Sequence, residues 1–269
     1  MLINLLSVHF QNQYNMTLGI LAAMEQEISL VCEMIEKPIR TELGGRTFYR
    51  GMLNGIDCVV CFSKWGKVAA AITSTLMIEH FHITDLVFIG TAGALADELN
   101  VGDIVVAKRL VQHDLDARPI IQRFQIPLTD HIYIKSNPQL SSLAINSINK
   151  LIAKDFSEVI GKEAAKEFSF IQPRLLQGDV ASGDQFISSD EKRQELIGLL
   201  PEVLCVEMEG AAVAQVCKEF QLPFTVIRII SDRADHDARV DFNRFTEAVA
   251  NIYSRAIIRE MTEELSFDN

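Results

Sequence analysis

Carboxyl and hydroxyl side chains follow several of the most apolar stretches of this chain. The stretches are GILAA, VFIG, LLQGDVA, VLCV and VIRII, and the polar residues after them are Glu25, Glu27, Thr91, Ser182, Asp184, Glu207, Glu209, Ser231 and Asp232. Such groups transfer protons and hydrogen-bond polar ligands. In an α/β fold, ligands bind beyond the carboxyl ends of the strands. The sequence therefore predicts a site rich in acids and hydroxyls at these strand ends.

Some of these residues also have a purely structural interpretation. Glu25 is typical of a first helical turn, where a carboxylate interacts favourably with the helix dipole. Glu27 fits that interpretation or a functional one. Ser231 and Asp232 follow a strand, where they fit a helix or turn cap as well as a site.

Two further strand ends leave alternatives open. The segment GTAG at 90–93 fits a tight strand-to-helix turn, or a turn whose amides face an anion or a hydroxyl. Glu207 and Glu209 alternate at the end of a strand, so we expect them on one face. Two like charges are unusual there unless a ligand or a cation meets them, because glutamate is seldom buried without a partner.

Other clusters indicate little chemistry. Cys58 and Cys61 lie three apart in a predicted strand and so point to opposite faces, which argues against a metal site. The acidic segment 232–237 lacks calcium-loop spacing and is typical of a solvated loop. No nucleophile elbow accompanies His113 and Asp114, and neither a Walker motif nor G-x-G-x-x-G is present.

Composition excludes several classes of protein. The chain has 269 residues, is 48% hydrophobic and carries a formal charge of −11, which disfavours nucleic acid as a partner. No apolar run approaches the roughly 18 residues of a membrane-spanning helix, so we expect no membrane partner. Five cysteines without framework spacing indicate buried thiols in a reducing compartment, and we expect a cytoplasmic protein. The first fifteen residues make a poor secretory signal, and Met16 is a candidate true start.

Apolar patterning predicts strands that alternate with helices, as in an α/β domain around a central sheet. Asn54-Gly55 predicts a hairpin turn between two strands, so the sheet should be mixed. Helices are predicted at about 137–153, 208–220 and 243–263, and long loops at about 112–136 and 155–172. No linker or repeat divides the chain, which favours one domain over 17–265 behind an N-terminal extension of residues 1–16.

Seven segments, spread over residues 19–235, together carry a family resemblance. They are GILAAMEQE, SKWGKVAAA, IGTAGAL, VGDIVVA, SGDQFI, VEMEGAAVAQVC and VIRIISDRAD. In this order and at these intervals they resemble the bacterial methylthioadenosine/S-adenosylhomocysteine nucleosidases of the nucleoside phosphorylase superfamily. The resemblance implies a three-layer α/β/α sandwich around a central mixed β-sheet, a homodimer, and no cofactor or metal.

The resemblance also implies an activity and roles for individual residues. The activity is hydrolysis of the bond between adenine and ribose in 5′-methylthioadenosine and S-adenosylhomocysteine, with 5′-deoxyadenosine as a further candidate. Glu27 matches the carboxylate that activates water, with Thr91 and Arg228 near that water, and Asp232 matches the acid that protonates adenine N7. The implied substrate-binding residues are Met24, Trp65, Phe186, Ile187, Glu207, Met208, Glu209 and Ser231. The mechanism requires a protonated Asp232 and an ionised Glu27, so their surroundings must separate the two pKa values.

Two alternatives and two departures accompany the resemblance. The first alternative is a purine nucleoside phosphorylase, which would need a basic cradle for phosphate, and Glu27 would repel that dianion. The second alternative is a sensor that binds the nucleoside without turnover. Trp65 stands where the family usually carries a smaller apolar residue near the ribose and its 5′ substituent. Arg233 is unusual directly after Asp232, and we expect it to point to solvent, since a guanidinium beside that carboxyl would lower its pKa.

Overall fold

Ten strands make up the sheet in this computed structural model, which describes residues 16–154, 156–162, 166, 172–236 and 238–267. The strands are β1 (Thr17–Ala22), β2 (Glu36–Leu43), β3 (Arg46–Leu53), β4 (Ile56–Phe62), β5 (Asp85–Ala94), β6 (Ile104–Gln112), β7 (Ile134–Lys135), β8 (Leu175–Ser182), β9 (Val203–Glu207) and β10 (Phe224–Asp232). The helices are α1 (Glu25–Glu33), α2 (Lys67–Phe81), α3 (Pro138–Ile152), α4 (Phe156–Ile160), α5 (Asp190–Leu199), α6 (Gly210–Glu219), α7 (Ala238–Phe245) and α8 (Asn251–Phe267). A π-helical turn, Thr246–Ala250, joins α7 to α8.

The sheet is mixed, as predicted, and part of it closes on itself. Its order is β10-β6-β8-β9-β5-β1-β4-β3-β2, with β7 beside β6, and β10 also pairs with β5. The strands β5, β9, β8, β6 and β10 thus form a closed ring, which the sequence pattern did not predict. Because β1 and β10 both run parallel to β5, their carboxyl ends meet at one place.

Helices cover both faces of the sheet and confirm the predicted α/β architecture. Alternate residues of β1 face opposite sides, as the pleat requires. Ile20 packs in the cluster that contains Ile28 of α1 and Tyr253 of α8, while Leu21 packs in the cluster that contains Met77 of α2. Strand β5 lies between these layers and is buried from Leu86 onward, which explains its continuous apolar run.

The local predictions are confirmed in most places and corrected in four. Strands β3 and β4 form the hairpin, and Asn54 and Gly55 in its turn have φ angles of 50° and 82°. The segment GTAG is not a strand-to-helix turn, because β5 continues through it to Ala94. The helix predicted at 243–263 is divided by the π-helical turn, and the predicted loop at 112–136 contains β7. The predicted loop at 155–172 contains the short helix α4 (Phe156–Ile160). Residues 155, 163–165 and 167–171 of that loop, and residues 1–15 of the N-terminal extension, lie outside the described residues.

None of the helices in the described part of the chain is both long enough and apolar enough to cross a membrane.

Candidate active site

A cavity of about 460 Å³ opens where the carboxyl ends of β1, β5, β9 and β10 meet. Glu25, Ser182 and Asp184, which were also predicted at the strand ends, do not line it. Every residue to which the family resemblance assigned a site role lines it, except Arg228. These residues are Met24, Glu27, Trp65, Thr91, Phe186, Ile187, Glu207, Met208, Glu209, Ser231 and Asp232. The cavity wall also contains Arg239, Phe242 and Asn243 of α7, which the sequence analysis missed.

Glu27 both caps a helix and faces the cavity. It lies in the first turn of α1, and its Oε2 accepts hydrogen bonds from the backbone amides of Ala23 and Met24, at 3.1 and 3.0 Å. Its Oε1 accepts from the amide and the hydroxyl of Thr91, at 2.8 and 2.9 Å. Four donors therefore surround a carboxylate that is only 1% exposed. Burial raises the pKa of Glu27, and these donors together with the charge of Arg228 oppose the rise.

Both glycines of GTAG are required by close packing against carboxyl groups. A Cβ atom at Gly90 would lie 2.9 Å from Glu27 Oε1, and one at Gly93 would lie 2.8 Å from Asp232 Oδ1. The amide of Thr91 between them does face an anion, and that anion is the Glu27 carboxylate. The sequence left open a tight turn, or a turn whose amides face an anion or a hydroxyl. The second interpretation is closer to the structure, although the anion is a side chain of the protein and not a ligand.

Asp232 ends β10 and is 2% exposed. Its Oδ2 accepts a hydrogen bond from Ser231 Oγ at 2.8 Å, and its Oδ1 accepts from the amide of Ala234 at 2.8 Å. Burial raises the pKa of Asp232 to about 6, against the opposing effect of these two donors. Arg233 is exposed and donates to Asn100 at 2.9 Å, which confirms that it points away from Asp232.

Glu207 accepts hydrogen bonds from within the protein and forms a salt bridge with Arg228. The Arg228 Nη2 atom donates to Glu207 at 2.7 Å, and both side chains are at least 96% buried. Glu207 also accepts from the amides of Glu209 and Gly210, at 3.0 and 2.8 Å, and from the Ser182 hydroxyl. Glu207 thus holds Arg228 and the start of α6 while it also lines the cavity, and its substrate-binding role stays a prediction.

Arg228 lies behind the cavity wall. Its guanidinium carbon stands 4.0 Å from the centre of the Phe88 ring, and its Nη1 donates to the Ile227 carbonyl at 3.1 Å. It is close enough to Glu27 for its charge to oppose the rise in the pKa of that carboxyl. The predicted position of Arg228 near the attacking water stays a prediction.

Glu209 is another buried carboxyl group on the cavity wall. It precedes α6, is 5% exposed, and accepts a hydrogen bond from the amide of Gly66 at 2.7 Å. Burial, assisted by the nearby charge of Glu207, raises the pKa of Glu209 to about 8. Trp65, next to Gly66, lines the same side of the cavity and is 65% exposed.

Aromatic side chains line the outer part of the cavity. Phe186 is 45% exposed, and the Phe242 ring meets it edge to face at 5.6 Å between centroids. Ile187 beside it is buried. The signal for α7 that sequence reasoning overlooked is the spacing of Arg239, Phe242 and Asn243, which places all three on one side of a helix that begins soon after Asp232.

The remaining candidates lie away from this cavity. His113 is buried, which lowers its pKa, and it does not line the cavity. Asp114 binds Lys67 Nζ at 2.6 Å. Cys58 and Cys61 pack in clusters on opposite faces of the sheet, as predicted. Within the ranges that the structure describes, no three His, Cys, Asp or Glu side chains are grouped to hold a metal ion, and Asp237 of the acidic segment lies outside those ranges.

Comparisons with known proteins agree with this geometry. Residues 17–263 match the family model described as the phosphorylase superfamily. The chain is 36% identical to the aminodeoxyfutalosine nucleosidase of Helicobacter pylori over 92% of this chain and 98% of that protein. It is 33% identical to the 5′-methylthioadenosine/S-adenosylhomocysteine nucleosidase of Shewanella sediminis over 93% of this chain and all of that protein.

A solved structure shows the same fold. The 5′-methylthioadenosine/S-adenosylhomocysteine nucleosidase of Colwellia psychrerythraea, in complex with adenine, superposes with a TM-score of 0.82 at 30% identity, over 93% of this chain and 96% of that one. The chain therefore belongs to the phosphorylase superfamily and, within it, to the family of the 5′-methylthioadenosine/S-adenosylhomocysteine nucleosidases.

Proposed function

We propose that this protein hydrolyses the N-glycosidic bond of 5′-methylthioadenosine and S-adenosylhomocysteine, releasing adenine and the thioribose derivative. The observation that carries the proposal is that Glu27 and Asp232 line one cavity, with Glu209 on the same wall. Two buried carboxyl groups from separate strand ends can thus act on the same nucleoside as base and acid. The proposed substrates are taken from the names of the relatives, and the proposed acid and base are residues that line the cavity.

The acid in this scheme is Asp232. Adenine is a poor leaving group until it is protonated, and the Asp232 carboxyl transfers its proton to N7 as the bond between C1′ and N9 breaks. Burial favours the protonated form, and a pKa of about 6 keeps a useful fraction of Asp232 protonated near neutral pH. Ser231 fixes the direction of the carboxyl through its 2.8 Å hydrogen bond.

The base is Glu27. Water gives a proton to Glu27 as its oxygen bonds to C1′, so the elements of water add across the bond that breaks. Thr91 and the two amides at the start of α1 hold the carboxylate in place and favour its ionised form. After turnover Glu27 holds a proton that Asp232 has lost, and exchange with solvent restores both groups.

Glu209 and Met208 act on the sugar. Breaking the glycosidic bond leaves positive charge on the ribose ring, as in other oxocarbenium-like reactions. Glu209 accepts hydrogen bonds from the ribose hydroxyls, and these bonds strengthen as the ring becomes cationic. Met208 packs on the sugar, while Phe186 and Ile187 receive the purine.

The phosphorylase alternative is disfavoured by the charge of the cavity. Four carboxyl groups line it, and in the described part of the chain Arg239 is the one Lys or Arg side chain on its wall. Arg228 already pairs with Glu207 and so offers no free cradle for phosphate. A dianion beside Glu27 would meet repulsion at short range.

One assay tests the proposed function. Methylthioadenosine, S-adenosylhomocysteine, adenosine and inosine are supplied with and without phosphate, and free base and sugar are measured. We expect adenine release from the first two that does not depend on phosphate. Ribose 1-phosphate products would show a phosphorylase, and binding without release of adenine would show a sensor.

Ser231→Ala is expected to move the alkaline limb of the kcat/KM profile to higher pH. The active form of Asp232 is protonated, so activity falls as pH rises through its pKa, about 6 in the free protein. The Ser231 hydroxyl stabilises the ionised form, and its loss raises that pKa by about one unit if the bond contributes about 1.5 kcal/mol. The acid limb, set by Glu27, serves as the internal reference. An unmoved alkaline limb would argue against Asp232 as the acid.

We further propose that the protein is a homodimer. Val68 and Ile72 are 71% and 45% exposed and lie four apart in α2, and Trp65, which is 65% exposed, precedes this helix and lines the cavity. A second copy of the chain would cover this apolar stripe. Light scattering coupled to size exclusion should give twice the chain mass of 30.1 kDa, and a single-chain mass at assay concentration would exclude the dimer.

The proposal also includes the limits of the domain and the cellular compartment. We take residues 17–265 as the nucleosidase domain and residues 1–16 as an extension before it. All five cysteines are free in the structure, which suits a reducing compartment such as the cytoplasm.

A further inference from the structure

Arg239 brings a positive charge to the wall of an otherwise acidic cavity. It lies in the first turn of α7, is exposed, and lines the cavity together with Phe242 and Asn243 of the same helix. No hydrogen bond or ion pair links its guanidinium to any residue that the structure describes. The cavity wall thus holds a cation whose donors remain available to a ligand.

The exposed fractions of the side chains around the cavity indicate that Arg239 lies near the cavity entrance. The carboxyl groups that act on the base and the sugar, Asp232, Glu27 and Glu209, are at most 5% exposed and mark the closed end. Trp65 and Phe186, at 65% and 45%, mark the entrance. Arg239 is exposed like these two and precedes Phe242, which contacts Phe186, by one helical turn.

A nucleoside bound with its base and ribose at the closed end directs its 5′ substituent toward this entrance. The substituent then passes the aromatic side chains Trp65 and Phe242 and ends near α7. In a chain of net charge −11, a negatively charged tail would otherwise meet repulsion along this route. A guanidinium can bind a carboxylate with two parallel hydrogen bonds.

We propose that Arg239 is a specificity-determining residue that binds a carboxylate at the end of the 5′ substituent. This inference rests on the proposed function, and it names the class of substrate that the site favours: adenosine derivatives whose 5′ tail carries a carboxylate. Asn243, one turn further along the same side of α7, offers a neutral amide beside the guanidinium.

Two kinds of tail share this chemistry. In S-adenosylhomocysteine the carboxylate belongs to an aliphatic amino acid, and in aminodeoxyfutalosine it is attached to an aromatic ring. Methylthioadenosine carries the same base and sugar without a carboxylate and is therefore the reference substrate. The exposed face of Trp65 suits an aromatic tail, whereas either tail can reach a cation at the entrance.

The test compares substrate preference in the wild type and in Arg239→Ala. The measured quantity is kcat/KM for each carboxylate substrate divided by kcat/KM for methylthioadenosine. We expect this ratio to fall about tenfold in Arg239→Ala, corresponding to about 1.4 kcal/mol for a partly screened charge-assisted contact. Arg239→Lys should retain part of the preference. In the wild type the ratio should also fall between 0.05 and 1 M salt, because the screening length shortens to about 3 Å at 1 M.

Arg244→Ala is the matched control. Arg244 is exposed on the same helix and its loss changes the net charge equally, but it does not line the cavity, so the ratio should stay within twofold of the wild type. A fall for S-adenosylhomocysteine alone assigns the aliphatic tail, and a fall for aminodeoxyfutalosine alone assigns the aromatic one; both support the inference. A ratio that Arg239→Ala leaves unchanged, or that Arg244→Ala lowers equally, overturns it while methylthioadenosine hydrolysis still supports the proposed function. If no nucleoside releases adenine, both fail.

Discussion

Asp232→Asn is expected to lower kcat for adenine release by about 10²- to 10⁴-fold, the usual contribution of a general acid. An amide has almost the same volume as the carboxyl group but has no acidic proton to transfer to N7. Its oxygen can still accept the hydrogen bond that the Ala234 amide donates to Asp232. Binding of methylthioadenosine, measured by calorimetry on the nearly inactive variant, should therefore stay close to the wild-type value.

The same substitution is expected to stabilise the folded protein at neutral pH. Burial raises the pKa of Asp232 from 3.8 to about 6, so the folded state binds the proton more tightly than the unfolded chain does. Stability from this group is complete below pH 4 and is lost as pH rises through about 6. Asparagine avoids that loss, which is on the order of 3 kcal/mol at pH 7.5.

Thermal melts of the wild type and of Asp232→Asn check the expected gain in stability. Asp232→Asn should melt several degrees above the wild type at pH 7.5, and the gap should narrow at pH 4.5, where Asp232 is protonated in the folded state and partly protonated in the unfolded chain. Asp235→Asn removes a carboxylate three positions away and is the control for turnover, because Asp235 does not line the cavity. Turnover of Asp232→Asn near the wild-type rate would mean that another group protonates the base.

Glu27→Gln is expected to reduce kcat by a similar factor, about 10²- to 10⁴-fold, because the amide does not accept a proton from water. Glu25→Gln is the matched control. Glu25 is in the same turn of α1 and loses the same charge, but it is exposed and does not line the cavity. We expect Glu25→Gln to retain nearly full activity. Comparable activity in the two variants would remove Glu27 from the mechanism.

The Glu27 variant should differ from the Asp232 variant in stability. Glu27 accepts from four donors, two on each oxygen. A glutamine must turn its NH₂ group toward either the amides of Ala23 and Met24 or the amide of Thr91. At least one buried N–H then loses its acceptor, which costs about 1–3 kcal/mol. This cost offsets the gain from removing a buried carboxylate whose pKa is raised, so Glu27→Gln should gain less in melting temperature at pH 7.5 than Asp232→Asn.

This contrast revises how the two pKa values are separated. The sequence analysis required one carboxyl group to stay neutral and the other to ionise. In the structure, burial raises the pKa of both. What distinguishes the two carboxyl groups is hydrogen bonding, since Glu27 accepts from four donors and Asp232 from two, and each donor favours the ionised form. The carboxyl group with fewer donors is the one that we assign as the acid.

Local patterns in the sequence were enough to predict most of the strands and helices and the positions of the acids. The continuous apolar run of β5, the hairpin at Asn54-Gly55 and the polar residues after each strand depend on neighbours close in the chain. Such features follow from the twofold and 3.6-residue periodicities, which any single segment carries by itself. Glu27 and Asp232 were identified in this way, because the end of a strand is a local property.

Only the tertiary structure decided how distant groups pair. The closure of β10 onto β5, the burial of Arg228 against Glu207, and the convergence of Glu27 and Asp232 on one cavity join residues that are far apart in the chain. Arg239 was missed for the same reason, since an arginine in an exposed helical turn resembles any solvated side chain until the cavity beside it is known. Periodicity tells which face of a segment is apolar, but not which segment will lie against it. The pairing of charges, the depth of burial and therefore the pKa values depend on which segments lie against each other. This is determined when the sheet closes and the layers pack.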